Sequence, residues 1–448
     1  MNKLKRFMGN LRTSFWFVPS LIVGASVVLA LILIEVDALV SKEWLTRLSF
    51  LFGTNAVGAR GMLTTIAGSM MSVVGVTFSM TLVTLALASS QYTSRILRNF
   101  MRDGITQVVL GIFAGIFTYC LIVLRTIRGG ESVFVPSLAV FFGMLLAIGG
   151  IVVLIFFIHH IASSIQASSI IASVAEETLA TVDKLFPGAL GEEPVEDDAD
   201  QARLLLPERS WQTVPAKGNG YIQSVDNEAL LRLADENKLI VRMERGIGMF
   251  VVHGTALASL SLDEPPGEEI IAALQNAYSI SRHRTPEQDT AFGLRQIVDM
   301  ALRALSPSIN DTTTAVMCID YLTAILARLA VRSIPSAYRF EAGELRVIAI
   351  GPSFASLVAE SFDQIRGSAQ GNLAVLLRML GALQTIASLT ASVGRRQVLR
   401  EEMACIAELA ARTIQSPHDR ARFENRLSRV RAALASAGPS GQSALNIP

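Results

Sequence analysis

The feature that most constrains this chain is a long segment without charge in its first quarter. No charged residue lies between Arg60 and Arg95, and a helix of about 20 apolar residues already crosses the hydrocarbon core of a bilayer. The whole chain is 51% apolar and 17% charged, with a mean hydropathy of +0.45. Because these values are too apolar for an ordinary soluble protein, the sequence predicts an integral membrane protein with a sizeable soluble part.

Four apolar segments within residues 1–160 predict a domain of four transmembrane helices. They cover residues 15–34, 62–101, about 104–124 and about 133–158. The N-terminus and the connection after the second segment carry seven basic residues, against five in the connections on the other side. Since basic residues accumulate on the cytoplasmic side of a membrane, both termini are predicted to be cytoplasmic.

Hydroxyl side chains at helical spacing run along two faces of the second segment: Thr65, Ser69, Ser72 and Ser79 on one face, Thr77 and Thr81 on the other. Small and hydroxyl-bearing residues allow close packing and hydrogen bonds between membrane helices. Alternatively, rings of hydroxyls in an oligomer line a path for a small ion or polar solute. The sequence leaves both interpretations open.

A second group of polar residues is predicted at the junction between membrane and cytoplasm: Gln91, Tyr92, Arg95, His159, His160 and Gln166. A histidine pair at a membrane exit could bind a metal or sense pH. No acidic or thiol side chain accompanies the pair in the sequence, so a simple interfacial pair is favoured and no metal site is assigned. The helical periodicity continues past the pair and predicts a stalk over residues 161–186.

The remainder of the chain predicts a cytoplasmic α+β domain that is mostly helical. The acidic run GEEPVEDDAD indicates a solvated linker over residues 187–207. Alternating, glycine-punctuated segments then predict a small β-rich subdomain, resembling a small β-barrel, over residues 208–262. Residues 263–435 are predicted to be mainly helical with one hairpin over residues 337–350, and residues 436–448 to be a disordered tail.

The densest polar motif of the soluble part lies between residues 284 and 311. Thr285, Pro286 and Gln288 suit the cap, first and third positions of a helix, so a helix is predicted to begin at Pro286. Asn310 or Asp311 is predicted to cap the next helix. The candidate ligand or subunit-contact residues are Arg284, Gln288, Asp289, Arg295, Asp299, Asn310 and Asp311. The alternative is that they are helix caps and a surface charge ladder.

Several of these motifs together resemble a known family. They are Gln91-Tyr92 with Arg95, His159-His160-Ile161, the segment GYIQSVD, Arg284-Thr285 with Gln288-Asp289, and the segment ALSPSINDTTTA. The combination resembles a bacterial family of predicted multi-pass inner-membrane proteins of unknown function, from the first apolar segment to about residue 400. Thr312 stands where that family usually has a proline. The resemblance implies a multi-pass topology in the inner (cytoplasmic) membrane and supplies no activity.

No catalytic motif is visible in the sequence. It contains neither a Gly-x-Ser-x-Gly elbow nor a phosphate-binding Gly-x-x-x-x-Gly-Lys loop, so no enzyme and no cofactor are predicted. A formal net charge of +1 gives no reason to expect nucleic acid as a partner. The expected partners are the lipid bilayer and further copies of the chain.

Two hypotheses follow for function. The first is an oligomeric channel or transporter-like protein whose cytoplasmic domain gates or regulates the path. The second is a membrane-anchored scaffold or sensor whose cytoplasmic domain binds a partner.

Overall fold

The computed structural model describes residues 16–39, 56–91, 104–128, 134–164, 166–186 and 209–435. The chain divides into two compact units, Met1–Ser169 and Ile170–Pro448. The predicted acidic linker and the predicted disordered tail lie outside the described residues.

The first unit contains the apolar helices expected of a membrane domain. They are α1 (Phe17–Leu39), α2 (Ala56–Gln91), α3 (Gly104–Thr126) and α4 (Ser137–Ser164). Helix α3 packs against the other three helices, and its Phe113, Tyr119 and Val123 are fully buried. The centre of this unit is therefore α3, and α2 packs beside it.

Asp37 connects the first helix of this unit to the fourth. The sequence placed the first membrane segment at residues 15–34, but α1 continues to Leu39 and includes Asp37. The Asp37 carboxylate accepts hydrogen bonds from the backbone N–H groups of Leu138 at 3.0 Å and Ala139 at 2.9 Å. These groups belong to the first turn of α4, whose N–H donors have no partner within the helix. A carboxylate there satisfies the donors and interacts favourably with the helix dipole.

The second unit combines helices with β-strands, as the predicted α+β domain requires. Its helices are α5 (Ala167–Leu185), α6 (Asn227–Glu236), α7 (Glu268–Ala277), α8 (Thr290–Ala304), α9 (Thr312–Ala330), α10 (Phe354–Ser368), α11 (Leu373–Leu389), α12 (Val393–Thr413) and α13 (Pro417–Ala435). Its strands are β1 (Gln212–Pro215), β2 (Gly220–Val225), β3 (Val241–Met243), β4 (Phe250–Val251), β5 (Ala256–Leu260), β6 (Tyr278–Ser281), β7 (Tyr338–Glu341) and β8 (Glu344–Ile348).

The strands form two sheets, and the predicted barrel over residues 208–262 is not confirmed. One sheet has the order β1-β5-β3-β8-β7 and the other β4-β2-β6. Strand β3 pairs in parallel with β8, with Val241 opposite Val347. The sheets thus take in strands from residues 278–281 and 338–348, beyond the predicted subdomain. The hairpin predicted over residues 337–350 is confirmed by the antiparallel pairing of β7 with β8.

Residues 161–186, predicted as a stalk, belong to two different helices. Helix α4 ends at Ser164 and α5 begins at Ala167. Most of α5 lies in the second unit, and Ile170, Ile171 and Val174 on one of its faces are buried. Helix α5 is therefore an integral part of the fold of that unit.

Five helices of the described residues are long and apolar enough to cross a membrane by length and composition: α1, α2, α3, α4 and α9. Helix α9 lies in the second unit and carries Asp320 and Arg328, both in ion pairs. The sequence prediction of several membrane helices in the N-terminal region is confirmed, while the number of crossings remains a prediction.

Candidate functional site

The two hydroxyl faces of α2 have different surroundings in the first unit. Thr77 is buried and Thr81 is half-buried. Thr65, Ser69, Ser72 and Ser79 are exposed. The sequence left open whether these faces meet protein or solvent. Among the described residues, the face of Thr77 and Thr81 meets protein, whereas the face that carries Ser72 and Ser79 is exposed.

Most of these hydroxyls donate to the backbone of their own helix. Thr65 donates to the carbonyl of Gly61 at 2.9 Å and Ser72 to that of Gly68 at 3.1 Å. Such bonds satisfy the donors locally, and the oxygen atoms still have lone pairs that can accept. Ser69 and Ser79 have no hydrogen-bond partner among the described residues.

The exposed face is built from small residues at spacings of four and three, in the order Gly61, Thr65, Gly68, Ser72, Gly75 and Ser79. A Cβ atom built on any of the three glycines would meet no atom within 4 Å. Beside this stripe, α2 and α4 form a shallow groove of about 540 Å³, with Thr65 and Ile66 on one side and Ala147 and Ile148 on the other. We call the six-residue face the small-residue stripe.

Of the six predicted junction residues, the structure describes the side chains of His159, His160 and Gln166. The side chain of Gln91, together with Tyr92 and Arg95, lies outside the described residues. His159 is exposed, while His160 is half-buried and its ring stacks on Phe156 with 6.3 Å between ring centroids. Gln166 is exposed in the bend before α5. Among the described residues, no group of three or more His, Cys, Asp or Glu side chains is placed to hold a metal.

Arg284 and Asp289 form a two-bond ion pair in the second unit. The guanidinium donates through Nε at 2.8 Å and Nη2 at 3.0 Å to the two carboxylate oxygens of Asp289, which is 5% exposed. Asp289 also accepts from the N–H of Phe292 at 3.0 Å and caps α8. The prediction that this helix begins at Pro286 is therefore wrong, because Asp289 takes the capping role and the helix begins at Thr290.

Two further contacts enclose this pair. The Gln288 side chain accepts from the backbone N–H of Val225 in β2 at 3.1 Å, so it is not part of a capping box with Thr285. Gly248 has a φ of +82°, and a Cβ atom there would lie 2.5 Å from Oδ2 of Asp289. Arg284, Gln288 and Asp289 thus fasten β2, the turn at Gly248 and the start of α8 to one another.

The other candidates from this motif lie elsewhere. Arg295 pairs with Asp299 at 3.1 Å and with Glu360 of α10 at 3.2 Å. Asp311 caps α9 through the N–H of Thr314 at 3.0 Å, and hydrogen bonds from the hydroxyl and N–H of Thr314 lower the pKa of this carboxyl.

The seven candidates therefore form three separate structural groups. Asn310 is exposed with a φ of +48°. Asn310 and Asp311 follow α8, whose 15 residues separate them from Asp289 by about 22 Å.

Sequence reasoning missed the contacts that hold α5. Asp183 accepts from Arg328 at 2.9 and 3.2 Å and from Arg332 at 2.7 Å. The hydrogen bond from Arg328 and the charges of both arginines lower the pKa of Asp183. Arg328 and Arg332 follow Asp183 by 145 and 149 residues in the chain. No local pattern signals such a pairing.

Comparisons with known proteins agree with the membrane character of the first unit. The family of predicted membrane proteins designated DUF2254 matches residues 12–385. Uncharacterized protein Mb1321c of Mycobacterium bovis and Uncharacterized protein Rv1290c of Mycobacterium tuberculosis are each 33% identical over 435 residues, which cover 94% of this chain and 81% of the relative. No solved structure matches the chain significantly. With a match over most of its length, this chain belongs to the DUF2254 family of predicted membrane proteins.

Proposed function

We propose that this membrane protein is a homo-oligomeric conduit for a small ion or polar solute, with the small-residue stripe of α2 facing the path. The observation that carries the proposal is a contrast between exposed surfaces of the first unit. The exposed faces of α1 and α4 present bulky apolar residues such as Leu31, Ile32, Ile155 and Phe156, which suit lipid. The stripe of α2 presents glycines and hydroxyls, with the exposed Met71 and Val76 on either side of it.

The core of a single unit is filled by side chains. Phe113 and Tyr119 are fully buried, and Ile116 is 3% exposed. A path for a polar solute would therefore run along the outside of this bundle, between copies. Most soluble oligomers close by rotational symmetry, and the same arrangement would bring the stripes of several copies around one axis.

The stripe has the chemistry of a passive path. Its hydroxyl oxygens can accept from a polar solute or coordinate a cation. Its six residues include no titratable side chain, whereas proton-coupled transport normally uses ionisable groups inside the membrane. We assign the protein no catalytic role.

Flux through reconstituted protein tests this function. The full chain in liposomes should release trapped K⁺ or a small polar solute. Because Leu at Ser72 or Ser79 would place a bulky apolar side chain in the path, Ser72→Leu and Ser79→Leu should reduce the flux about tenfold or more.

Val152→Leu is the matched control, since it also introduces leucine at an exposed position, on α4, where Val152 is 64% exposed. This variant should leave the flux unchanged. Unchanged flux in both serine variants would remove α2 from the path.

Cross-linking tests the arrangement of copies separately. A cysteine at Ser72, in a chain with the exposed Cys405 changed to serine, should form disulfide-linked dimers in the membrane, because rotational symmetry brings the stripes together. A cysteine at Val152 should not. Equal cross-linking at both positions would mean that the stripe does not mark the interface.

A second candidate function is a membrane-anchored scaffold or sensor that binds a partner through its second unit. The feature that favours it is an exposed apolar group on the edge strand β4 and beside it, where Phe250 is 52%, Val252 50% and Met249 38% exposed. Edge strands with exposed apolar side chains are a common route to strand pairing with a partner. Phe250→Ser should then abolish capture of one defined partner by the full chain, without changing flux.

A further inference from the structure

Helices α11 and α13 form a groove in the second unit that neither hypothesis on function uses. The groove has a volume of about 510 Å³. Arg378 lines it from α11, and Arg422, Arg426 and Arg429 line it from α13. Val316 of α9 and Leu377 provide an apolar part of the wall. Four arginine side chains thus line one concave surface.

This positive charge is largely uncompensated. Arg378 forms an ion pair with Asp320 of α9. Within residues 209–435 and the other described segments, Arg422, Arg426 and Arg429 make no ion pair. They stand four and three residues apart on one face of α13, where like charges repel and destabilise a helix. A bound anion would remove that repulsion.

The local structure holds one guanidinium in the groove. A Cβ atom built at Gly381 would lie 3.0 Å from Nη2 of Arg426, so the absence of a side chain there lets the guanidinium lie against α11. Arg426 is half-buried as a result, whereas Arg431 on the opposite face of α13 is exposed. The planar guanidinium fork matches the oxygens of a phosphate group better than an ammonium does.

We propose that this groove binds a small phosphate-bearing anion. Its phosphate oxygens would accept hydrogen bonds from Arg422 and Arg426, with Arg378 and Arg429 adding charge. An apolar or planar part next to the phosphate would contact Val316 and Leu377. The groove volume lies within the range of about 300–1,000 Å³ that ligand pockets usually have.

The same chemistry is offered by two sources, a soluble phosphate compound and the headgroup of an anionic lipid. Calorimetric titration of the full chain in non-ionic detergent separates them. The soluble probes are pyrophosphate and adenosine 5′-triphosphate. The lipid probe is dihexanoyl phosphatidic acid, with dihexanoyl phosphatidylcholine as its zwitterionic counterpart. Binding of pyrophosphate or adenosine 5′-triphosphate supports the site and identifies a soluble phosphate compound as its ligand. Binding of phosphatidic acid alone supports the site and identifies a lipid headgroup.

The variants Arg426→Gln and Arg422→Gln should each weaken binding of the successful probe about tenfold or more, because each loses a charge-assisted hydrogen bond. The matched control is Arg431→Gln, which removes the same charge about half a turn away on α13 and should change the affinity less than about twofold. Melting temperatures of both variants without ligand that are unchanged, or higher because a like-charge repulsion is relieved, would show that they remain folded.

Two results would overturn the proposal. One is equal weakening by Arg431→Gln, which would indicate general charge attraction. The other is failure of every probe to bind the wild-type chain at about 1 mM. Neither result bears on the flux measurements, so this site and the proposed conduit can fail independently.

Discussion

At the scale of single residues, the Arg284–Asp289 pair has the residue types of a ligand site and the contacts of a structural joint. The Asp289 carboxylate accepts two hydrogen bonds from Arg284 and one from the N–H of Phe292. The turn at Gly248 covers it closely enough to exclude a Cβ atom. A carboxylate that is satisfied and covered in this way holds segments together and has little surface left for a ligand.

Asp289→Asn should destabilise the second unit. The variant keeps a capping oxygen but loses the ion pair, and the half-buried guanidinium of Arg284 loses its counter-charge. We expect the free energy of unfolding to fall by about 2–3 kcal/mol, somewhat below the cost of breaking a fully buried pair because Arg284 is partly exposed. Denaturant titration in detergent measures it, with the exposed Asp263→Asn as control. Equal stability of the two variants would contradict this structural role.

The Asp183 ion pairs predict a pH dependence. The pKa of Asp183 is lowered in the folded chain, first by the hydrogen bond from Arg328. A group with a depressed folded pKa stabilises the fold above its unfolded pKa and loses this contribution as the pH falls through the folded value. Asp183→Asn should cost about 1 kcal/mol at neutral pH, because the carboxylate is partly exposed to solvent. The difference from wild type should shrink below the ordinary pKa of 3.8. A difference that is constant with pH would contradict the assignment.

At the scale of elements, the sequence predicted the structure that depends on neighbouring residues and missed the structure that depends on residues far apart in the chain. The predicted cap of α9 is confirmed at Asp311. Ala315, Ile319 and Leu322, which recur at helical spacing in the sequence, are fully buried, because helical periodicity depends only on residues in neighbouring turns. The start of α8 was predicted four residues too early because Gln288 bonds to β2, more than sixty residues away. The pairing of β3 with β8 likewise joins residues about a hundred positions apart. Such contacts depend on the whole fold.

The crossing of α5 and α8 depends on one glycine. A Cβ atom at Gly293 would lie 2.2 Å from Oγ1 of Thr178, so the helices must separate to accept any side chain. Gly293→Ala should therefore destabilise the fold by about 1–3 kcal/mol. Thr178→Ala should restore part of the loss, since it removes two of the three clashing atoms. Thermal unfolding of the single and double variants measures both effects.

Gly367→Ala is the matched control for this crossing. Gly367 also lies in a helix, α10, but a Cβ atom there would meet nothing within 4 Å. The substitution should raise stability by about 0.5–1 kcal/mol because alanine favours the helix. A loss at Gly367 similar to that at Gly293 would mean that the crossing is not the cause.

At the scale of the whole molecule, the number of membrane crossings depends on the position of α9. Helix α9 has the length and composition of a span. Its Asp320 and Arg328 are both ion-paired, and it packs against α8 and α11. We infer that α9 is part of a water-exposed folded unit and that α1 to α4 are the spans.

Cysteine labelling from one side of the membrane tests this topology. Ser308→Cys precedes α9 and Ala337→Cys follows it, and both positions are exposed. In a chain with Cys405→Ser, both cysteines should react with an impermeant maleimide from the cytoplasmic side only. Tags on the two termini should be accessible from that same side. Labelling of the two cysteines from opposite sides would establish α9 as a fifth span.

The position of α5 also decides what fastens the second unit to its membrane anchor. Helix α5 directly follows α4 in the chain, yet it is packed into the second unit through Thr178 and Asp183. A protease site inserted in residues 187–207 would cut the chain after α5. The fragment from residue 209 onward should nonetheless remain with the membrane fraction, because α5 stays bound to it. After cleavage, the two pieces of the chain are thus expected to stay associated through α5 alone. Asp183→Asn should weaken this association and increase release of the fragment from the membrane fraction.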